Sequence, residues 1–407
     1  MGGCFVEFFS EEALENITVL LKYKPERIIF LGHKHNMLTK KMKSLQNFAE
    51  MTSPSTAIEF IEVPRDDFEL CVKTINDILT EHPNARFELT GGGEMLLIAF
   101  GYISSKKAIK TLRIDPYTGT EVDFSGDEVT KVDGQVHMTV MQDIILHGGT
   151  LTRSSGSFAT WEFTEDFRKD VQKIWDLSKA LNHKWNKYCS IIEDVIKKYP
   201  ADENDFYTLP KSELDDAVNL FYRLRDLDAL RGFVTEKREI IFQFKNKMIK
   251  NIVTKTGNIL ELHVYEVASR RKDIFNDYVI SAVIDWDGEI KEPRLSAPEN
   301  PEAMYRDPET INEIDVILMH NVVPTFISCK SGRVDSKALH ELQTVTSRFG
   351  GKYAKKAIVM ATPCNEKTSG TNFFKQRAKD MHIWVIDNVY EMSDEQLLKK
   401  LIRIQGQ

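Results

Sequence analysis

The chain lacks the cysteine patterns that staple small secreted domains or hold zinc. Its five cysteines, Cys4, Cys71, Cys189, Cys329 and Cys364, are scattered, odd in number and form no C-x-x-C pair. That fits reduced thiols in a cytoplasm and argues against a disulfide framework or a zinc site. No apolar run reaches bilayer-spanning length, so no membrane partner is expected. The opening MGGCFVEFFSEEALENI has neither the basic start nor the apolar core of a signal peptide. It also lacks the Ser or Thr of the myristoylation pattern. Internal repeats and low-complexity tracts are missing too. The net charge of −7 disfavours a general nucleic-acid coat protein. Most of that charge lies before Lys247, and the C-terminal third is near neutral.

What is present suits a globular chain. Its 407 residues, 42% hydrophobic and 28% charged, leave room for two or three domains. Residues 1–150 alternate strands and helices. FVEFF (Phe5–Phe9), RIIFLG (Arg27–Gly32), TAIEFIEV (Thr56–Val63) and RFELTGGG (Arg86–Gly93) read as strands. Ser10 is placed to cap a helix over SEEALENITVLLKY, with Glu11 and Glu12 in its first turn. DDFELCVKTINDILTEH and EMLLIAFGYI read as further helices. This order predicts a parallel doubly wound sheet, finished by a hairpin from KAIKTLRID and EVDFS. Residues 151–245 are mainly helical, with a strand at Glu239–Phe244. They form either a winged-helix-like connector or a plain helical spacer. Residues 246–407 form a third domain. It starts with a helix broken or bent near Gly257, followed by the strand DYVISAVIDW and a proline-containing loop (Pro293–Pro308). A hairpin comes next, then a helix, a strand, a helix and a last strand.

Two constellations carry chemistry. The first is the hairpin NEIDVILMHNVVPTFISCKSG, Asn312–Gly332. Side chains alternate along a strand, so Phe326, Ser328 and Lys330 share a face. A turn centred on Asn321–Val322 sets Asp315 opposite Ser328, so Asp315, Ser328 and Lys330 converge. A carboxylate there can hold Mg²⁺ or Mn²⁺, and an ammonium can orient a water or stabilise a phosphate. Glu261, in GNILE on the preceding helix, is a second acid. Arg377 and Lys337 could reach a nucleic-acid backbone but read better as solvated helix faces. His263 reads as a packing residue, and Trp175 and Trp185 as core.

The second constellation is LTGGGEM, Leu89–Met95. Three glycines between strand and helix let a backbone approach a ligand, and free N–H groups at a helix start suit phosphate. It is neither G-x-G-x-x-G nor followed by a Walker Lys-Ser/Thr, which disfavours NAD and ATP. The loops FFSEE (Phe8–Glu12) and LGHK (Leu31–Lys34) leave neighbouring strands of the same sheet. Candidate ligand contacts are Phe9, Ser10, Gly32, Lys34, Thr90, Gly91, Gly92, Gly93 and Glu94.

The hairpin resembles the PD-(D/E)XK nuclease core: a helix with Glu261, a strand with Asp315, and Ser328-Cys329-Lys330. Ser328 stands where that pattern usually has an acid. The metal would then sit on Glu261, Asp315 and the Cys329 carbonyl. VEFFSEEALENI, PERIIFLGHK and ELTGGGEM together resemble a CRISPR-associated Rossmann-fold (CARF) domain. The whole chain is similar to the CARF-domain ancillary nucleases of type III CRISPR systems. The resemblance implies a Rossmann-like CARF domain, a connector and a restriction-endonuclease-like α/β domain. It also implies a homodimer that binds cyclic tetra-adenylate across its two-fold axis. Binding would switch on Mn²⁺- or Mg²⁺-dependent cleavage of single-stranded RNA and DNA. The alternatives are a regulator with an inactive nuclease fold, a ring nuclease degrading its own cyclic ligand, and a duplex-binding transcription regulator.

Overall fold

The computed structural model describes residues 3–126, 128–152, 163–286, 311–332, 334–364 and 373–406. The expected proline-containing loop Pro293–Pro308 lies outside the described residues. The first sheet contains β1 (Cys4–Phe8), β2 (Arg27–His33), β3 (Ala57–Val63), β4 (Arg86–Glu88), β5 (Lys110–Ile114), β6 (Glu121–Asp123) and β7 (Thr130–Val132). Their order is β3-β2-β1-β4-β5-β6-β7. Strands β1 to β5 pair in parallel, and β5, β6 and β7 pair antiparallel. Strand order reverses between β1 and β4. The loops after their C-terminal ends therefore flank the crevice where such sheets take ligands. The sheet is as expected, but Ser10 does not cap a long helix. A 3₁₀ turn over Ala13–Asn16 precedes a short helix, Thr18–Tyr23. The Ser10 hydroxyl is drawn to Glu15, and the Asn16 amide bonds the Ser10 backbone in both directions, which closes a turn there instead.

The connector has helices Glu165–Leu181 and His183–Lys198, then β9 (Tyr207–Pro210), a short helix Lys211–Leu214, a helix Val218–Asp226, and the hairpin β10 (Leu230–Thr235) and β11 (Glu239–Phe244). The three strands form one sheet, β10-β11-β9. Helix, strand, helices and hairpin in that order make the winged-helix-like arrangement rather than a plain helical spacer.

The last sheet has the order β16-β15-β14-β13-β12-β8. Its strands are β8 (Thr150–Thr152), β12 (Asp277–Asp285), β13 (Ile311–His320), β14 (Val323–Lys330), β15 (Lys355–Met360) and β16 (Trp384–Ile386). Helix Asn258–Ser269 precedes three antiparallel strands, and helix Ser336–Phe349 leads into the parallel strands β15 and β16. That is a restriction-endonuclease-like core. Of the break or bend expected near Gly257, the structure has the break: helix Lys247–Thr254 ends, and Gly257 at φ +97° starts the next helix. Only glycine takes that backbone angle without strain.

Two apolar clusters join the domains. One runs from Phe5, Phe9 and Phe30 of the first sheet to Ile317, Phe326 and Phe349 of the last. The other joins Trp175 and Trp185 of the connector to Ile259, Leu260 and Val316. Continuous apolar contact of this kind couples domains more tightly than a polar linker would.

Candidate functional sites

The hairpin register is the one the sequence dictates. Val316 pairs with Ile327 and Ile317 with Phe326, across a turn at Asn321 and Val322 where Asn321 takes φ +56°. This sets Asp315 across from Ser328. Ladder pairing stops at Val316, and the Asp315 carboxylate takes over its function. It accepts the Cys329 N–H at 2.5 Å and the Ser328 hydroxyl at 3.2 Å. On the other side, β12 skips the same position: Ile280 pairs with Val316 and Ala282 with Ile314, with Ser281 between them at φ +48°. The facing of the strands flips there. Ile280 and Val316 pack in one apolar cluster, Ala282 and Ile314 in the other. A non-glycine residue held in the left-handed region inside a strand is strained, and such strain concentrates at functional sites. The Ser281 hydroxyl donates to Glu261 at 3.4 Å, so the irregularity turns a donor toward that acid.

The electrostatics mark the spot as over-supplied with negative charge. Burial, then the carboxylates of Asp315 and Glu313, push the Glu261 carboxyl well above the usual range; Lys330 and Ser281 pull the other way. Burial also raises Asp315, against Lys330, the Cys329 N–H and the Ser328 hydroxyl. Three carboxylates thus act on one ammonium. Glu313 escaped the sequence reading, although it lies two residues from Asp315 in NEIDV. Ser281 escaped it because nothing in VISAV announces the irregularity. The Cys329 thiol is buried, and burial first, then Asp315 and Glu261, raises its pKa further. Only its backbone carbonyl is a plausible metal ligand. Among the described residues, no group of three or more His, Cys, Asp or Glu side chains is gathered closely enough to hold a metal ion. Two half-buried carboxylates, with excess negative charge and all-oxygen donors, still fit Mg²⁺ or Mn²⁺. Such ions often bind through one or two carboxylates and keep several waters.

In the crevice, the glycines serve packing as much as ligand approach. A Cβ on Gly91 would lie 2.7 Å from Ser10 Cβ, and one on Gly93 2.6 Å from the His33 ring. Gly92, at φ +112°, would collide with Phe8. The N–H groups of Gly91, Gly92 and Gly93 donate no hydrogen bond within the described residues; Gly92 and Gly93 are partly exposed and Gly91 is buried. The Phe9 side chain is buried against Phe30 and Phe60, so only its backbone can reach the crevice. Gly32 is buried as well; its Cβ would press on Phe9 and Met37. Lys34 and Glu94 are exposed. Thr90 is held by Glu88 and by the Ile114 carbonyl. Glu88 in turn is buried and raised to about 7 by that burial, against bonds from the Thr90 hydroxyl and N–H and the Ile114 N–H. It pairs across the sheet with buried Glu7. The acids in FVEFF and RFELT were the sequence signal for this pair.

The crevice is also tied to the last domain. Ser10 donates to Glu15 at 2.6 Å, and Glu15 accepts Lys352 Nζ and the Tyr353 hydroxyl, both at 2.6 Å. Glu12 accepts the Lys352 N–H at 2.9 Å. Burial would raise the Glu15 carboxyl, but these donors hold it below the usual range. Sequence reading gave no sign of this, because the partners lie more than 330 residues apart.

No family model matches the chain, and no curated protein matches it. Solved structures do. Protein VC1899 from Vibrio cholerae is 14% identical and has a TM-score of 0.73, covering 99% of this chain and 97% of that one. Can2 from Sulfobacillus thermosulfidooxidans, solved in complex with cyclic tetra-adenylate, is 17% identical with a TM-score of 0.67 over 99% of each chain. At these identities the likeness speaks for the fold. The chain has, along nearly its whole length, the fold of VC1899 and Can2.

Proposed function

We propose that this protein is a cyclic oligoadenylate-activated, metal-dependent nuclease of type III CRISPR defence. The observation that carries the reading is the convergence of Glu261, Asp315, Ser328 and Lys330 on an irregular, over-acidic patch of a restriction-endonuclease-like sheet. The free N–H groups of Gly91–Gly93, with Ser10, Lys34 and Thr90 beside them, support the sensing crevice, and Can2 was solved with cyclic tetra-adenylate. Domains 1–150, 151–245 and 246–407 would sense, connect and cut. Leu97, Ile98 and Tyr102 are exposed on the helix Glu94–Ser104 that leaves the crevice, which supports a second copy of the chain as partner.

Glu261, Asp315 and the Cys329 carbonyl would hold Mg²⁺ or Mn²⁺, which supplies Lewis-acid stabilisation at the phosphodiester. Lys330 orients the attacking water or balances charge on the phosphate in the transition state. Ser328 fixes Asp315 by its hydroxyl. Switching needs the ligand to favour one arrangement of the dimer. The bonds from Ser10 through Glu15 to Lys352 and Tyr353 would carry that preference. They end at the turn before β15, which pairs with β14 and so with Lys330.

The test incubates labelled single-stranded RNA and DNA with the protein, with and without Mn²⁺ and with and without cyclic tetra-adenylate. Cutting that needs both supports the reading. A second reading, a regulator with an inactive nuclease fold, is favoured by Ser328 at the usual acid position. Binding of the cyclic ligand without cutting would establish that instead.

A further inference from the structure

Lys352, Lys355, Lys356, His382 and Trp384 line a cavity of about 680 Å³ at the N-terminal ends of β15 and β16. It is distinct from the acidic patch. Lys355 pairs with Thr325 and Met360 with Lys330, so the cavity and Lys330 lie at opposite ends of the same strands. Five residues at about 3.3 Å each separate them by roughly 17 Å. The size suits a nucleotide-scale ligand.

Three features fix the ligand's chemistry. First, the cavity holds unpaired positive charge: among the described residues neither Lys355 nor Lys356 has an ion-pair partner, while Lys352 is neutralised by Glu15 and the Glu12 carboxylate accepts the Lys352 N–H at the rim. Lys355 rests over the Tyr117 ring at 5.0 Å. Lys356 is partly buried on neutral acceptors, Gln343 at 2.5 Å and the Met381 carbonyl at 2.9 Å, and burial lowers its pKa. A half-buried ammonium with no anion is costly unless an anion arrives. Second, Trp384 is 42% exposed beside these cations. Third, β16 is the edge strand of its sheet, so among the described residues no further strand flanks Trp384. Cations that track phosphates beside an aromatic face that stacks a base are the elements of single-strand recognition.

We infer that this cavity is an accessory site for single-stranded nucleic acid, holding a phosphodiester on Lys355 and Lys356 with a base stacked on Trp384. The inference deepens the nuclease reading by giving the substrate strand an anchor away from the cutting patch. It takes from that reading only the reason a strand should be there.

The test uses the full chain in EDTA, without cyclic ligand, and follows the anisotropy of a labelled ten-nucleotide oligothymidylate. Because neither cutting nor activation is involved, failure of the anchor and failure of the nuclease reading are separate results. Lys355→Glu and Trp384→Ala should each weaken binding about tenfold or more, with melting curves checking the fold. Trp384→Ala keeps the test decisive if Lys355→Glu disturbs packing on Tyr117. Two phosphate contacts predict a slope of log affinity on log salt of about −1.4. Unlabelled strand should compete far better than AMP, and inorganic phosphate hardly at all. No binding by the wild type, binding by both variants as tight as by the wild type, or displacement by AMP as effective as by the strand would overturn the proposal.

Discussion

Replacing Glu15 by alanine removes the acceptor that joins the sensing loop to the last domain. The magnitude follows from burial. Glu15 is 8% exposed and Tyr353 9%, whereas the Lys352 side chain is 59% exposed. The exposed ammonium therefore contributes little beyond screening. The Tyr353 and Ser10 hydroxyls bonded to a buried carboxylate are worth about 1.5 kcal/mol or more each. Losing both, with partial replacement by water, should cost about 2 kcal/mol locally. Amides in the turn 350–354 should then exchange with deuterium about 30-fold faster, since that energy is a factor of about 30 in an opening equilibrium. Tyr353→Phe, which deletes one bond, should show about a third to a half of the effect in free energy. The assay is amide exchange followed by mass spectrometry on the full chain without ligand. Unchanged exchange in Glu15→Ala would refute the claim that this contact couples the domains.

Asp315→Asn and Lys330→Ala should each lower cleavage about a hundredfold or more, with calorimetry showing unchanged binding of cyclic tetra-adenylate. Gly92→Ala forces a side chain into φ +112° and against Phe8. It should destabilise the first domain by about 2 kcal/mol or more in urea denaturation; a neutral result would mean the loop is looser than described. His263 stacks on Trp175 at 3.9 Å and is buried, which lowers its pKa to about 4. Its folded value lies below the unfolded 6.5, so the stability it contributes is fully present above that value and is lost as pH falls toward 4. About 2 kcal/mol should go between pH 7.5 and pH 5, and His263→Phe should flatten that part of the urea-midpoint profile. On the proposed pairing through Ile98, light scattering should find the wild type dimeric and Ile98→Glu monomeric; a monomeric wild type would refute the pairing.

Much of the fold was legible because its elements are local. The continuous apolar run in RIIFLG, the β-rich TAIEFIEV, the glycine break at Gly257 and the two-residue turn at Asn321 each act within a few residues. The hairpin register followed from that turn, and so the meeting of Asp315 with Ser328 was legible too. The closing of the Ser10 turn was not, because Glu15 and Asn16 compete for the capping residue. The packing role of Gly92 was not legible either: the glycine run reads as room for a ligand, and nothing in it says that a Cβ there would meet Phe8. Ser281 and the Glu15–Tyr353 contact depend on strands and domains distant in sequence. No local pattern encodes them.

The most direct measurement compares wild type and Lys330→Ala on labelled single-stranded RNA and DNA with Mn²⁺, each with and without cyclic tetra-adenylate. The account predicts cutting by the wild type only when the cyclic ligand is present, and none by Lys330→Ala although it binds that ligand equally well. Equal cutting by both proteins, or wild-type cutting indifferent to the ligand, would contradict it.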